Sequence, residues 1–321
     1  MKVVVTGGAG FIGSSLADEL LARGDEVVVI DNFSTGQRQF LANATSQSKF
    51  RLVEADLLGD SAVLDDAIAG SDAVVHLAAN ADVRFGWNHP TRDVEQNLIA
   101  TQNVLESCRR NEIHRVIFSS TGSVYGEATV IPTPEDAPFP AQTSLYGASK
   151  SAAEGLLSAY AEGAGFSVTV FRFVSVLGPR YTHGHVLDFV AQLRRDPSKL
   201  RVLGDGSQRK SYMDVSDCVA ALVAALGRTP KFEVFNLGSN EYCTVRDSIG
   251  WITARLGVTP ELELTGGDRG WVGDNPFIWL DTAAIRSTGW EPRWSIREAV
   301  ERTVDFLMAN PEIVDTFGIE S

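Results

Sequence analysis

The chain has 321 residues, 44% of them hydrophobic, enough for one large domain or two smaller ones with real cores. Its formal net charge of −13 argues against nucleic acid and anionic membrane surfaces as partners, though a local basic pocket can still take a phosphate. No apolar run reaches the roughly 18 residues of a membrane span, and the opening "MKVVVTGGAG" lacks the apolar core and cleavage site of a signal peptide, so a cytoplasmic protein is expected.

Short β-branched runs alternate with amphipathic stretches along the first half. The runs are 2–6, 26–30, 50–55, 73–78, 115–120 and 167–173, each apolar on both faces as strands of a buried parallel sheet are. Between them Phe11, Ile12, Leu16 and Leu20 recur at helical spacing, as do Val94, Leu98, Val104 and Leu105. Strand and helix in alternation predict an α/β fold, a doubly wound parallel sheet of the Rossmann type. After about residue 174 glycine, proline and aromatic residues become frequent, which predicts a smaller C-terminal α/β substrate-binding lobe. The expected division is 1–173 for the dinucleotide domain, rejoined by about 212–240, with 174–211 and 241–321 in the smaller lobe. Cys108, Cys218 and Cys243 are widely spaced and form no CxxC, so reduced thiols are expected, with neither disulfide nor zinc.

"VTGGAGFIG" places Gly7, Gly10 and Gly13 between a strand and a helix. Gly7 allows the tight turn, Gly10 lets backbone N–H groups approach a pyrophosphate, and Gly13 lets helix and strand pack closely. Asp31 ends the second strand 18 residues past Gly13, close to the roughly 20 expected of an acid that grips the adenosine ribose. A carboxylate there repels a 2′-phosphate, so NAD is expected rather than NADP. Asp56 and Leu57 end the third strand, placed for the adenine. The small residues of "HLAANA" let a cofactor lie against backbone, and His76 reads as a packed strand histidine.

Tyr146 and Lys150 lie four apart on one helix face. An ammonium beside a phenol lowers the phenol's pKa, with help from the nicotinamide's positive charge, and the tyrosinate can then remove a hydroxyl proton while hydride leaves the same carbon for NAD.

Taken together, TGGAGFIG, DNFSTG, HLAA, SSTGSVYG, YGASK and FRFVSVLGPR resemble the extended short-chain dehydrogenase/reductase family, and within it the NAD-dependent nucleotide-sugar epimerases and dehydratases. The resemblance covers nearly the whole chain. It implies that Thr121 completes a triad with Tyr146 and Lys150. It implies NAD contacts from Gly7, Gly10, Phe11, Ile12, Gly13, Asp31, Asn32, Ser34, Thr35, Gly36, Asp56, Leu57, Leu77, Ala78, Ala79, Ala81, Ser119 and Phe173, besides Tyr146 and Lys150. In 4,6-dehydratases of the family an Asp and a Glu follow the threonine, and in UDP-glucuronate decarboxylases a glutamate holds the third position. Here those positions are Gly122 and Ser123, so water elimination is not supported. What remains is oxidation and return of the hydride, which is epimerisation; resemblance to the family's 4-epimerases implies that it occurs at C4 of a UDP-sugar, with NAD regenerated each turnover and held tightly.

Phe173, Ser175 and Leu177 replace the family's usual tyrosine, asparagine and aromatic. Thr121, Ser123, Ser175 and Arg180 resemble the carboxylate receptor of UDP-glucuronate 4-epimerases; alternatively Arg180 pairs with a surface acid. Lys210 and Arg269 are assigned to the diphosphate and Asp274 to the uridine ribose, with Val186 and Tyr212 also at the substrate. Arg84 reads as facing the sugar or as a solvated loop charge. "THGH", with His183 and His185, has an HxH pattern without a third ligand, so no metal is expected. The resemblance further implies a homodimer paired through 92–110 and 146–162. Competing readings are a nucleotide-sugar or ketone reductase of the same family that consumes external NADH, and a non-catalytic NAD-binding regulator; the second would be expected to have lost Tyr146 or Lys150.

Overall fold

The structure is a computed structural model, described for residues 1–59, 61–81, 86–138, 141–270, 275 and 277–318. Packing divides the chain into two units. The first comprises Met1–Ala128, Glu135–Phe173 and Val219–Asn236, and the second Thr129–Pro134, Val174–Cys218 and Leu237–Ser321.

The first unit is built on a seven-stranded sheet. Its strands are β1 (Lys2–Thr6), β2 (Glu26–Asp31), β3 (Phe50–Glu54), β4 (Ala73–His76), β5 (Arg115–Thr121), β6 (Ser167–Phe173) and β7 (Phe232–Leu237). Their order in space is β3-β2-β1-β4-β5-β6-β7. The pairs from β3 to β6 are all parallel. The order reverses between β1 and β4, and in such sheets ligands bind at the carboxyl ends of strands at this switch point.

Val3, Val4, Val5, Val27, Val28 and Val29 are wholly inaccessible, because helices cover both sheet faces. One face buries Val4, Val28, Val74, Val116 and Phe118 against Leu64, Val104, Leu105, Ala153 and Leu157. Each such side chain contributes about 1.5–3 kcal/mol by leaving water. Strand β3 departs from the two-faced burial read from its sequence. It lies at the sheet edge, where Arg51 is exposed and Leu52 and Val53 are only half-buried.

The stretch after Pro90 also differs from expectation. It runs as Pro90–Asp93, a wider π turn over Val94–Ile99, and an α-helix over Ala100–Arg110. Val94 and Ile99 face solvent, at 46% and 40% exposed, and Leu98 is half-buried. The buried positions are the polar Asp93, Asn97 and Thr101, with Ala100 and then Val104, Leu105 and Cys108. The π turn inserts an extra residue, so the stripe enters the core through Ala100 and Val104 while Val94 and Ile99 stay outside it.

The second unit combines small sheets with the helices His185–Arg195, Val245–Leu256 and Ile296–Ala309. Ser175–Leu177 pairs in parallel with Tyr212–Asp214, and Lys199–Val202 with Glu261–Leu264. Arg209–Lys210 lies between Cys243–Thr244 and Phe277–Ile278. Helices His185–Arg195 and Ile296–Ala309 bury Val186, Leu187, Val190, Val300, Val304 and Leu307. Reciprocal capping boxes start two helices, Thr244 with Asp247 and Ser295 with Glu298. Buried Asp214 is neutralised by Arg302 at 2.9 Å. The cysteines are free and buried, and burial pushes the thiols of Cys108 and Cys243 up to about 12. Among the described residues no helix is long and apolar enough to cross a membrane.

Candidate active site

The dinucleotide cradle forms where β1 turns into the helix Phe11–Ala22. Gly7 takes a positive φ of 68°, and a Cβ there would lie 2.7 Å from the Ala78 nitrogen. The turn therefore runs flush against Leu77 and Ala78, as only glycine permits. A Cβ on Gly13 would lie 2.2 Å from the Gly7 carbonyl oxygen, so the helix start folds directly onto the turn. Gly10 caps this helix without any side-chain bond, and its first turn carries no acid. The positive end of the helix is thus presented to an anion.

Asp31 is 8% exposed at the tip of β2. Its carboxylate accepts from Ala9 N at 2.9 Å and Phe33 N at 2.8 Å, while burial outweighs these bonds and raises its pKa. It is fixed beside the glycine turn, where a ribose would need it. Asn32 donates to Asp56 at 3.0 Å and ties the ends of β2 and β3 together. Leu57 is buried, Asp56 is exposed, and Ser34 and Thr35 lie in an exposed loop that closes on buried Gly36. Arg38 lies over the Phe33 ring and bonds Glu54 at 2.6 Å, engaged with an acid on β3. An anion cradle, a fixed carboxylate and small residues at the end of β4, Ala78, Ala79 and Ala81, fit NAD.

Three consecutive residues at the end of β5 meet the helix Leu145–Gly163. Lys150, 1% exposed, donates from Nζ to the Ser119 carbonyl oxygen at 2.8 Å and lies 4.5 Å over the Phe118 ring. Thr121 lies beside the Tyr146 phenol, near enough to lower its pKa. The Thr121 hydroxyl accepts from Ser123 N at 3.1 Å and donates to Ser123 Oγ at 3.2 Å, capping the turn Gly122–Tyr125. Phe173 is the cross-strand partner of Thr121. Gly147 follows from this contact: a Cβ there would lie 2.8 Å from the Ser123 carbonyl oxygen, so the helix starts against the catalytic turn. Ser144 caps that start by accepting from Gly147 N at 3.0 Å.

Desolvation pushes the Tyr146 phenol up to about 12; Thr121 beside it lowers the value and the Asp93 charge raises it. Desolvation pulls Lys150 down to about 7, partly opposed by the Glu154 carboxylate. Burial thus dominates both groups, and the lowering expected of the phenol calls on the nicotinamide's positive charge as well as the lysine's. His76 is buried, with Nδ1 2.6 Å from Thr6 Oγ1 and Nε2 3.0 Å from Thr101 Oγ1. Burial and the charge of Lys150 hold its pKa at about 3, so it stays neutral.

Sequence reasoning missed the polar group beside this helix. Asn97 Nδ2 donates to Ser149 Oγ at 3.0 Å and to the Asn80 carbonyl at 3.2 Å, and Asn80 Nδ2 donates to Asp93 at 2.8 Å. Ser149 Oγ in turn donates to the Tyr146 carbonyl at 2.8 Å. The available signal was the i, i+4, i+8 spacing of Asp93, Asn97 and Thr101.

In the second unit Ser175 is exposed and Arg180 is half-buried with φ at 73°. Lys210 Nζ donates to the Asn275 carbonyl. Tyr212 is buried beside His185, with ring centroids 5.0 Å apart, and His185 Nε2 lies 2.8 Å from Ser248 Oγ. Val186 is fully buried, which gives its side chain to the core. Arg269 is exposed. His183 stacks on Tyr181, and among the described residues no group of three His, Cys, Asp or Glu is arranged to hold a metal. Asp274 and Arg84 lie outside the described residues.

A doubly wound sheet with this glycine cradle, a fixed carboxylate at the tip of β2 and a Tyr–Lys–Thr group at the end of β5 defines a dinucleotide-binding protein of the short-chain dehydrogenase/reductase type. The chain belongs to the NAD dependent epimerase/dehydratase family, whose model it matches over residues 3–238, and its cofactor is NAD. It is 34% identical to the UDP-glucuronic acid decarboxylase 1 of Arabidopsis thaliana over 95% of this chain and 69% of that protein. Among solved structures it resembles a UDP-galactose 4-epimerase at 38% identity and TM-score 0.85, covering 96% of this chain and 99% of that one. It also resembles the UDP-glucuronic acid 4-epimerase of Bacillus cereus, solved with UDP-glucuronic acid and NAD, at 29% identity and TM-score 0.87, covering 96% and 99%.

Proposed function

We propose that the protein is a UDP-sugar 4-epimerase that oxidises C4 of a UDP-hexose or UDP-hexuronate to a keto sugar and returns the hydride to the opposite face. The observation that carries this reading is the turn after Thr121. It holds Gly122 and Ser123 beside an intact Thr121–Tyr146–Lys150 group, and neither residue has a carboxyl group to drive elimination. NAD supplies the hydride acceptor and ends the cycle in its starting oxidation state, held tightly throughout. Tyr146, its phenol ionised with help from the nicotinamide's positive charge and from Lys150, removes the C4 hydroxyl proton and later gives it back. Thr121 hydrogen-bonds the reacting oxygen and holds the phenol. Lys150, anchored on Ser119, supplies positive charge as the phenol ionises.

The structural relatives include both a neutral-sugar and a hexuronate epimerase, so the substrate is a UDP-hexose or a UDP-hexuronate, and Arg180 is the cation assigned to a sugar carboxylate. Lys210 and Arg269 are assigned to the diphosphate and Asp274 to the ribose. Exposed Val94 and Ile99 support pairing of two copies through 92–110 and 146–162. The experiment is incubation of the protein with UDP-glucose and with UDP-glucuronate, without added reductant, following the sugar H1 and H4 signals by NMR. Conversion of UDP-glucuronate alone assigns the carboxylate receptor, and conversion of UDP-glucose alone makes Arg180 structural. Turnover only with added NADH would replace epimerisation by simple reduction.

A further inference from the structure

Behind the catalytic group lies a second, wholly enclosed polar network. Tyr146, Lys150 and Glu154 succeed one another at four-residue intervals on one helix. Ser119, Ser120 and Thr121 succeed one another on β5. Lys150 donates to the Ser119 carbonyl, Ser120 Oγ donates to Glu154 Oε1, and Thr121 lies beside the Tyr146 phenol. Glu154 is 6% exposed and Arg172 4%. Arg172 grips Glu154 in a fork, Nη2 to Oε2 at 2.7 Å and Nε to Oε1 at 3.1 Å. Arg172 is also the cross-strand partner of Ser120. Its Nη1 donates to the Tyr125 hydroxyl at 2.7 Å and to the Glu135 carbonyl at 2.9 Å. Tyr125 closes the turn that begins at Thr121, and its hydroxyl donates to Asn236 Oδ1 on β7 at 2.8 Å.

Stability is a poor explanation for this arrangement. A buried ion pair loses much of its Coulomb energy to desolvation, and apolar side chains of similar volume often serve as well. What an apolar patch would not do is fix direction. The fork sets the orientation of Glu154, and Glu154 bonds the residue between the two that carry the catalytic contacts. A displacement of about 1 Å in a reacting group costs on the order of 100-fold in rate.

We propose that Glu154, oriented by Arg172, is a positioning residue that sets the register of the Tyr146–Lys150 helix against the end of β5 through Ser120, while Tyr125 anchors the turn carrying Thr121 and Ser123. The inference rests on the Tyr146–Lys150–Thr121 reading of the chemistry. Ser120→Ala deletes one bond of the network and Tyr125→Phe two, and both leave the ion pair intact, so both variants should fold. On the UDP-sugar that the wild type converts, each should lower kcat by about tenfold or more, with KM and bound NAD close to wild type. A lowered melting temperature with kcat per folded enzyme within about twofold of wild type would reduce the network to scaffolding and overturn the proposal. Loss of turnover by the wild type on both sugars would instead count against the proposed function. Positioning is then read without substrate. Ultraviolet titration of the NAD-bound protein against a Tyr146→Phe reference should show Ser120→Ala raising the Tyr146 midpoint by about half a pH unit or more, as Thr121 drifts from the phenol. An unchanged midpoint overturns the proposal.

Discussion

Lys150 and Ser119 are joined by a bond of 2.8 Å from the ammonium to a backbone carbonyl, with the lysine 1% exposed above the Phe118 ring. Burial pulls Lys150 from 10.5 to about 7, so folding releases its proton over much of the range between those values. The unfolded chain binds the extra proton in that window, so this group's contribution to stability rises with pH from about 7 upward and is absent below it. Lys150→Met should flatten the rise of melting temperature between about pH 7 and 10 relative to wild type. Equal slopes would show that the lysine does not titrate as described. The same variant should lose nearly all turnover.

Tyr146→Phe removes the proposed acceptor of the sugar hydroxyl proton. Turnover should fall by about 10²–10⁴-fold, while NAD stays bound, as read from cofactor released on denaturation. Retained activity would exclude the phenol as base.

Asp31→Asn tests the ribose acid. The carboxylate accepts two backbone N–H bonds, from Ala9 and Phe33, and an amide offers a single acceptor oxygen. The variant should bind NAD roughly tenfold more weakly and lose about 1–3 kcal/mol of stability. Calorimetric titration and denaturant unfolding read the two effects separately.

Gly147→Ala places a methyl 2.8 Å from the Ser123 carbonyl oxygen, a backbone atom that can yield only by moving the catalytic turn. Overpacking of this kind costs about 1–3 kcal/mol, and kcat should fall along with melting temperature. Gly155→Ala, on the same helix with open space around the added Cβ, is the control and should change neither.

His76 bridges Thr6 and Thr101 as a neutral ring with a pKa of about 3 against an ordinary 6.5. The unfolded chain takes up the proton first on acidification, so stability should drain away as pH falls from 6.5 toward 3. His76→Gln should show a shallower loss of melting temperature over that interval.

Much of the fold is local in origin. Runs such as "KVVVT" and "EVVVI" encode two-faced strands, and Gly7 and Gly13 meet steric demands within seven residues of each other. The four-residue spacing of Tyr146 and Lys150 places them on one helix face whatever surrounds them. Tertiary structure decided the rest, because burial and partnership depend on residues far away in the chain. "FRLVEA" carries the apolar pattern of an inner strand, yet its place at the sheet edge leaves it half-covered. Asp93 and Asn97 read as the polar face of a helix, and only the π turn and Asn80 make them buried and bonded. Arg172 is an unexplained charge inside a strand until Glu154, 18 residues earlier, and Tyr125, 47 residues earlier, meet it. The charge of Lys150 shows the same division: its position is written in four residues of helix, and its pKa of about 7 follows from the desolvation that the assembled sheet and helices impose.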